Sequence, residues 1–538
     1  MNEALRHVYW MIWVSLGLAI LYGVLLLINT RYRQMWLRYT AVEATFWIRL
    51  GVPKKWVDAS RRFSEKRYYF YALWFFILIF LLMALISGTT YLYFKHRWLA
   101  QKPPEARSFY EAGAKENKVG NYAEAITNFT KAINTYSNYP EAYSFRARAK
   151  YNLKDYNGAI IDANKAIELG SYYEPAYNVR GDSRLNLNDY TGSIADFDKS
   201  IDLDSTYAPA YYQRGNAEFD LTNYVPAIKD YTKAIKLKPG YAMAYYNRGC
   251  AEQGLTNYTD SMADLGNAIR LHPDFPVAYN MRGLAKWHLK DYSGAIIDYN
   301  EAIKLNPKFS IAYDNRGFAK SDLKDYAEAI IDFDKSIELD RNNESAYLSR
   351  GYVKFQVKNY AGATADFNKA IELNPKESVA YANLGLVQYK LFQFKSALEN
   401  YQKASQLDPS QEDWRFRIWL IRSRLDDRLG ATEDLKEYLA SEKEKHKKPT
   451  WTDVVGLFLI GSFSEKNFLN CAKSETPKVQ NWWRCRANYF VGMKHLISGD
   501  KVGAMDFFQE CLNTKETNRV EYASAEVELN ALKKVIRP

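Results

Sequence analysis

Two long uncharged segments lie near the start of the chain. Residues 8–28 form a run of 21 residues without a charge, and residues 68–94 form a second run of 27. At about 1.5 Å of rise per residue, a helix of either length crosses the roughly 30 Å hydrocarbon core of a membrane. We therefore expect residues 1–102 to be an anchor with two membrane spans. A cleaved secretory signal is the alternative for the first run, although its apolar stretch exceeds the usual length of about 7–15 residues and no small-residue cleavage site follows it.

The loop between these runs is strongly basic. Residues 30–67 contain ten basic and three acidic residues. Because cytoplasmic loops are enriched in Lys and Arg, we expect this loop in the cytoplasm and both termini on the other side of the membrane. The opposite orientation is favoured by three basic residues after the second run, Lys95, Arg97 and Lys102, but the loop contains ten.

From residue 103 onward, a pattern of aromatic and small residues recurs every 34 residues. Each copy contains an Asn-Tyr or Asp-Tyr pair, replaced by Gln-Phe in the ninth copy, and the pairs begin at residues 121, 155, 189, 223, 257, 291, 325, 359 and 393. When this pair is numbered 16 and 17, position 4 is aromatic, position 8 is Gly or Ala, and positions 20 and 27 are Ala or Ser. Small residues at these places let two antiparallel helices pack closely, so each copy is predicted to be a helix pair.

This pattern resembles the tetratricopeptide repeat, with nine copies over residues 103–410. The resemblance implies a right-handed solenoid of nine 34-residue repeats. Together with the two transmembrane helices expected from the uncharged runs, this gives an all-α fold. Residues 411–538 keep a helical pattern but lose the strict period, and we expect them to form a cap of degenerate hairpins, the last at Trp482–Ser498 and Lys501–Leu512. This closing segment also looks like that of bacterial cell-envelope proteins of the same family, which implies an inner-membrane protein with its repeats in the periplasm.

Two charged positions vary together along the repeats. Position 7 is arginine and position 23 is aspartate in copies two to eight, and both are absent from the first and ninth copies. The two positions face each other across an antiparallel helix pair, so we predict a ladder of ion pairs within or between neighbouring copies. Independent surface charges are the alternative. The predicted pairs are Arg146 and Asp162, Arg180 and Asp196, Arg214 and Asp230, Arg248 and Asp264, Arg282 and Asp298, Arg316 and Asp332, and Arg350 and Asp366.

The resemblance also implies a partner-binding groove. In tetratricopeptide proteins, ligands usually lie against the first helix of each repeat, around positions 2, 5, 6, 9, 12 and 13. Aromatic and amide side chains at these positions suit extended peptide or protein segments. Solvent exposure without a ligand, or packing between repeats, is the alternative for any single residue. The candidates are Asn178, Tyr212, Gln213, Asn216, Tyr246, Asn247, Asn280, Trp287, Asn315, Phe318, Tyr352 and Phe355. Position 5 contains no lysine, so the carboxylate clamp of the family's chaperone-binding members is not expected.

The chain contains four cysteines, too few for a disulfide-built framework. In the register of the last hairpin, Cys485 falls at position 1 and Cys511 at position 27, so we expect the two to be neighbours and to form a disulfide outside the cytoplasm. A bond between Cys471 and Cys485 and buried free thiols are the alternatives.

The sequence offers little sign of catalytic chemistry. The six histidines lack metal-binding spacing, and no phosphate-binding loop or nucleophile motif occurs. We therefore expect no metal, no cofactor and no enzymatic activity.

The net charge of +11 would by itself favour a nucleic-acid partner. Residues 31–67 contribute +7 of it and residues 68–102 contribute +3, which leaves +1 for the other residues. The basic charge therefore belongs to the anchor, and neither nucleic acid nor a small-molecule substrate is expected. We expect a membrane-anchored scaffold or adaptor that binds proteins or peptides and contacts lipid only through its anchor. A docking receptor that faces the cytoplasm and a permanent structural subunit of a membrane complex are the alternatives.

Overall fold

The computed structural model describes residues 102–170, 173–443, 450–472, 477–516 and 519–536. Within these ranges all regular secondary structure is helical. The predicted spans at residues 8–28 and 68–94, and the basic loop between them, lie outside the described residues. None of the described helices combines the length and apolar character that a membrane crossing requires.

The chain divides into two units, residues 1–239 and residues 240–538. The described part of the first unit consists of four helix pairs. They are α1 (Pro104–Lys118) and α2 (Tyr122–Thr135), α3 (Pro140–Asn152) and α4 (Tyr156–Leu169), α5 (Glu174–Asn186) and α6 (Tyr190–Leu203), and α7 (Ala208–Asp220) and α8 (Tyr224–Leu237).

The second unit begins with five further helix pairs. They are α9 (Ala242–Gly254) and α10 (Tyr258–Leu271), α11 (Pro276–His288) and α12 (Tyr292–Leu305), α13 (Ser310–Asp322) and α14 (Tyr326–Leu339), α15 (Glu344–Gln356) and α16 (Tyr360–Leu373), and α17 (Ser378–Lys390) and α18 (Phe394–Leu407). The all-α architecture of stacked helix pairs is therefore confirmed.

Seven helices follow the last pair and build the largest apolar core of the second unit. They are α19 (Glu412–Arg424), α20 (Arg428–Lys443), α21 (Trp451–Leu459), α22 (Glu465–Cys471), α23 (Pro477–Ile497), α24 (Lys501–Asn513) and α25 (Val520–Ile536). Phe416, Trp419, Phe458, Tyr489 and Phe508 are almost completely buried in this core. The predicted last hairpin corresponds to α23 and α24.

The glycine at position 8 allows the two helices of a repeat to approach each other. A Cβ atom added to Gly283 would lie 2.6 Å from Cε1 of Tyr299, the aromatic residue at position 24. The second copy contains Ala147 at position 8, and there position 24 is the small Ala163, which packs in the same cluster. The added methyl group at position 8 therefore meets a small residue at position 24 instead of an aromatic ring.

The turn between the two helices adopts the same backbone conformation in all nine repeats. The residue at position 15 has a positive φ, between 60° and 65° in eight copies and 86° at Gly120 in the first. In the second copy this turn lets the amide of Asp155 donate to the carbonyl of Lys150 at 2.9 Å, which satisfies a carbonyl at the helix end. The left-handed conformation costs roughly 1–2 kcal/mol at a non-glycine residue, so the repeat keeps it at a local energetic cost.

Candidate partner-binding surface

Each arginine of the predicted ladder contacts its aspartate within one repeat. Nε and Nη2 of the arginine on the first helix donate to the carboxylate on the second helix, at 2.5–3.0 Å in all seven copies. The aspartates are buried, and the arginines retain 15–23% of their side-chain exposure. The sequence left open whether the ion pairs join residues of one repeat or of neighbouring repeats. In the structure they lie within one repeat.

Five of these arginines also donate a hydrogen bond to the preceding repeat. Nη1 of Arg180 donates to Oδ1 of Asn164 at 2.7 Å, and Nη1 of Arg350 donates to Oδ1 of Asp334 at 2.5 Å. Corresponding bonds join Arg146 to Thr130, Arg214 to Asp198 and Arg316 to Asn300. One guanidinium thus ties three helices together, which the sequence comparison of positions 7 and 23 did not reveal.

Two further groups complete the environment of the ladder. The guanidinium carbon lies 5.4–5.7 Å from the ring centroid of the position-4 tyrosine in all seven copies. In five copies a basic residue at position 11 gives the aspartate a second cation, as Arg184 does for Asp196 at 2.7 Å. Position 11 is Glu218 and Glu252 in the other two. The arginines are therefore engaged in structural contacts.

Several candidate groove residues pack between repeats instead of facing outward. Asn178 and Asn280 are only 4% and 5% exposed, and Phe355 is 8% exposed. The amide of Asn178 donates to Glu174, and Oδ1 of Asn280 accepts from Nδ2 of Asn315 in the next repeat at 3.0 Å. The expectation that Asn178, Asn280 and Phe355 line an open groove is wrong, because neighbouring first helices approach closely enough to bury these positions.

In the first unit, the other candidates form a hydrogen-bonded chain. Nε2 of Gln213 donates to Oδ1 of Asp182 in the preceding repeat at 2.8 Å, and Nδ2 of Asn216 donates to Oε1 of Gln213 at 2.7 Å. The ring of Tyr212 lies 5.9 Å from that of Tyr231 and is partly exposed. These side chains are consequently held in fixed positions.

The second unit keeps aromatic side chains at its surface. Tyr352 is 43% exposed, and Tyr246, Asn247, Trp287 and Phe318 are partly exposed. Nε1 of Trp287 donates to Oδ2 of Asp322 in the next repeat at 2.7 Å. This bond holds one side of the Trp287 ring and leaves part of the ring accessible.

Comparison with known proteins agrees with this geometry. Family models described as tetratricopeptide repeat match residues 174–207, 208–241, 246–308, 311–343, 344–377 and 378–411. These residues form tetratricopeptide repeats. Repeats of this family bind proteins or peptides and are generally non-catalytic scaffolds. No curated protein sequence matches the chain.

Solved structures of tetratricopeptide proteins resemble parts of the chain. YrrB, described as a protein with an unusual peptide-binding site, is 23% identical, and the match covers 34% of this chain and 95% of YrrB with a TM-score of 0.30. The C-terminal part of a repeat protein from Cytophaga hutchinsonii is 20% identical over 45% of this chain and 98% of its own, with a TM-score of 0.38. PilF of Pseudomonas aeruginosa is 20% identical, and the match covers 39% of this chain and 95% of PilF with a TM-score of 0.35.

A buried acidic residue lies among the tetratricopeptide first-helix positions and was not singled out by the sequence. Asp314, at position 5, is 8% exposed, and its Oδ1 atom has no hydrogen-bond partner. Burial raises the pKa of this carboxyl group to about 6, although side-chain hydrogen bonds with Asn343 and Ser345 act in the opposite direction. The signal in the sequence is an aspartate where the other repeats have neutral residues.

The two cysteines of the last hairpin are neighbours, as expected. Their Sγ atoms are 2.9 Å apart, and both side chains are fully buried between α23 and α24. Both are free thiols in the structure. Burial raises the pKa of the Cys511 thiol far above its usual value. In the part of the chain that the structure describes, no three His, Cys, Asp or Glu side chains are grouped as metal ligands would be.

Proposed function

We propose that this protein is a scaffold or adaptor whose repeats bind extended protein or peptide segments. The partly exposed aromatic residues on the first helices of the second unit, Trp287, Phe318 and Tyr352, carry this proposal. A partly exposed aromatic ring that a neighbouring side chain already holds, as Asp322 holds Trp287 and Phe333 contacts Phe318, offers a large contact area with little loss of side-chain freedom on binding. Asn315 is partly exposed and supplies an amide group for a peptide backbone.

The ladder supports this function indirectly. Because five of the ladder arginines join the two helices of their own repeat to the preceding repeat, neighbouring repeats within each unit are held in register. A preformed surface loses less conformational entropy on binding than a flexible one, so modest contacts at several repeats add to a useful affinity.

The membrane location is part of the same proposal. The two uncharged runs and the basic loop between them favour an inner-membrane anchor that presents the repeats to the periplasm. An anchored scaffold raises the local concentration of its partners at the membrane without any catalytic step.

A topology reporter distinguishes this arrangement from a receptor that faces the cytoplasm. We expect a fusion after Pro538 to be active with a reporter that works only outside the cytoplasm. In that compartment Cys485 and Cys511 should be joined, so mass spectrometry after alkylation without reductant should find them in one disulfide-linked peptide pair. Activity of only a cytoplasmic reporter, together with alkylated cysteines, would reverse the orientation.

Gentle detergent extraction distinguishes an adaptor from a permanent subunit. An adaptor should yield partners below one copy per chain, and their recovery should fall when Tyr352 is replaced by alanine. Ile331→Ala is the matched control, because Ile331 is 57% exposed and lies on a second helix of the same unit. A constant stoichiometric complex that is unaffected by Tyr352→Ala would favour the structural subunit.

A further inference from the structure

A pocket of about 240 Å³ lies where the last repeat meets the C-terminal cap, within the second unit. Its walls come from α17, α19 and α23 and from the start of α25. Ala382, Asn383 and Leu386 contribute from positions 5, 6 and 9 of the last repeat, so the pocket opens on the first-helix face.

Arg417 is a buried cation in this pocket without a direct counter-ion. Its side chain is 6% exposed. Only Nη1 donates, to the hydroxyl of Tyr489 at 3.3 Å and to Oγ of Ser524 at 3.1 Å. Among the described residues no carboxylate lies within 4 Å of it, whereas the ladder arginines each have one. A buried charge that forms no ion pair is costly, and an anion bound beside it lowers that cost.

The other two arginines of the pocket differ in their partners. Arg486 is 6% exposed, forms an ion pair with Asp413, and lies 3.7 Å from Glu521, yet its Nε atom has no hydrogen-bond partner. Arg519 is exposed, and its guanidinium carbon lies 4.6 Å from the ring centroid of Trp482.

Three arginines and two carboxylates leave the pocket with a charge of +1. Both carboxylates lie within 4 Å of Arg486, and Glu521 also acts on Arg417 from a longer distance, so Arg417 and Arg519 are the cations without an ion pair of their own. Trp414, Trp482, Leu386 and Phe490 supply apolar walls. The pocket therefore combines a planar, paired donor set with an apolar surface.

We propose that this pocket binds a carboxylate that is attached to an aromatic or other apolar group. A single negative charge balances the pocket, whereas a dianionic phosphate would exceed its charge. Either the end of a peptide that lies on the repeats or a free carboxylic acid supplies this chemistry. This site goes beyond the proposed function, because it requires no partner along the other repeats.

Titration calorimetry with the purified 538-residue chain tests this site. The probes are N-acetyl-L-phenylalanine and its amide, which differ only in the carboxylate. We expect the acid to bind at least roughly tenfold more tightly than the amide, since a hydrogen bond to a charged group contributes about 1.5–3 kcal/mol. Equal affinities, or the absence of binding at millimolar concentration for both the free acid and a peptide that ends in phenylalanine, would overturn the proposal. Binding of only the peptide would identify a peptide end as the source.

Variants assign the effect to the pocket. Arg417→Met should abolish the difference between acid and amide. Arg422→Met is the control, because Arg422 lies on the same helix but forms its ion pairs with Asp427 and Asp434 outside the pocket. If Arg417→Met does not fold, the exposed Arg519→Met should weaken binding of the acid more than that of the amide. If these variants bind the acid as tightly as the unchanged protein does, the carboxylate does not bind in this pocket. This test does not depend on partner recovery, which tests the proposed function through Tyr352.

Discussion

Asp230 and Asp196 show how the number of cations beside a buried carboxylate differs between repeats. Asp196 contacts both Arg180 and Arg184, while Arg214 is the only cation within 4 Å of Asp230 among the described residues. A buried charge that loses its only partner costs about 3–5 kcal/mol, and the loss is smaller when a second cation remains.

We therefore predict that Arg214→Met destabilises the protein more than Arg180→Met, by about 1–3 kcal/mol. Both substitutions remove one arginine of the ladder from the same unit, so each serves as the control for the other. Urea unfolding followed by circular dichroism compares the two variants. Because repeat arrays need not unfold in one step, the denaturation midpoints of the variants are ranked. Equal midpoints for the two variants would show that the second cation has no effect.

Asp314 makes stability depend on pH in a defined direction. Its pKa in the folded protein, about 6, is above the value of about 3.9 expected for an unfolded chain. The ionised form is therefore disfavoured in the folded state. This residue lowers the free energy of unfolding by its full amount above about pH 6, and this cost shrinks to zero as the pH falls to about 4.

Asp314→Asn should accordingly raise the thermal unfolding midpoint at pH 7.5. At this pH the free energy of unfolding should increase by up to about 3 kcal/mol, which is the free-energy equivalent of the difference between the folded and unfolded pKa values of Asp314. Thermal unfolding of both proteins between pH 4 and pH 8 measures it, and the difference should shrink towards zero at pH 4. A gain that does not change with pH, or a loss at pH 7.5, would contradict the account of this residue.

At the scale of the helix pair, the glycine at position 8 sets the distance between helices. Gly283→Ala should destabilise the protein by about 1–3 kcal/mol, because the new methyl group would meet Tyr299 at 2.6 Å. Gly266→Ala is the matched control within a helix of the same unit, since a Cβ there would meet only Nη1 of Arg282 at 3.9 Å. The control should raise stability by about 0.5–1 kcal/mol through better helix propensity. Thermal unfolding compares the two, and a stabilising Gly283→Ala would refute the packing argument.

The helix pairs also show what the sequence was able to predict. The contact between positions 7 and 23 could be predicted because both residues are present or absent together. The contact of the same arginine with the preceding repeat could not, because position 25 is Thr130, Asn164 or Asp198 in successive copies, and these residues share only an acceptor oxygen.

The candidate groove was less predictable than the ladder. Family-based positions identify the face of a first helix but not how closely the next repeat approaches it. Asn178 and Asn280 lie on the expected face, yet close approach of the neighbouring helix buries both. The pocket beside Arg417 was not predictable either, because its walls come from helices that are more than 100 residues apart in sequence and lack the 34-residue period.

At the scale of the whole molecule, charge and recognition are separated along the sequence. The net positive charge is concentrated before residue 103, and the other residues carry a net charge of +1. Partner binding through aromatic and amide groups should therefore depend only weakly on salt, unlike the binding of a basic surface to nucleic acid.

Site-specific photo-crosslinking in intact cells determines which face of the repeats contacts a partner. A photoreactive phenylalanine analogue is placed at Tyr352, on the first-helix face, and at Ile331, on a second helix, which are 43% and 57% exposed. The scaffold account predicts discrete cross-linked proteins from residue 352 that are absent from residue 331. The same products from both positions, or products from residue 331 alone, would contradict partner binding on the first-helix face.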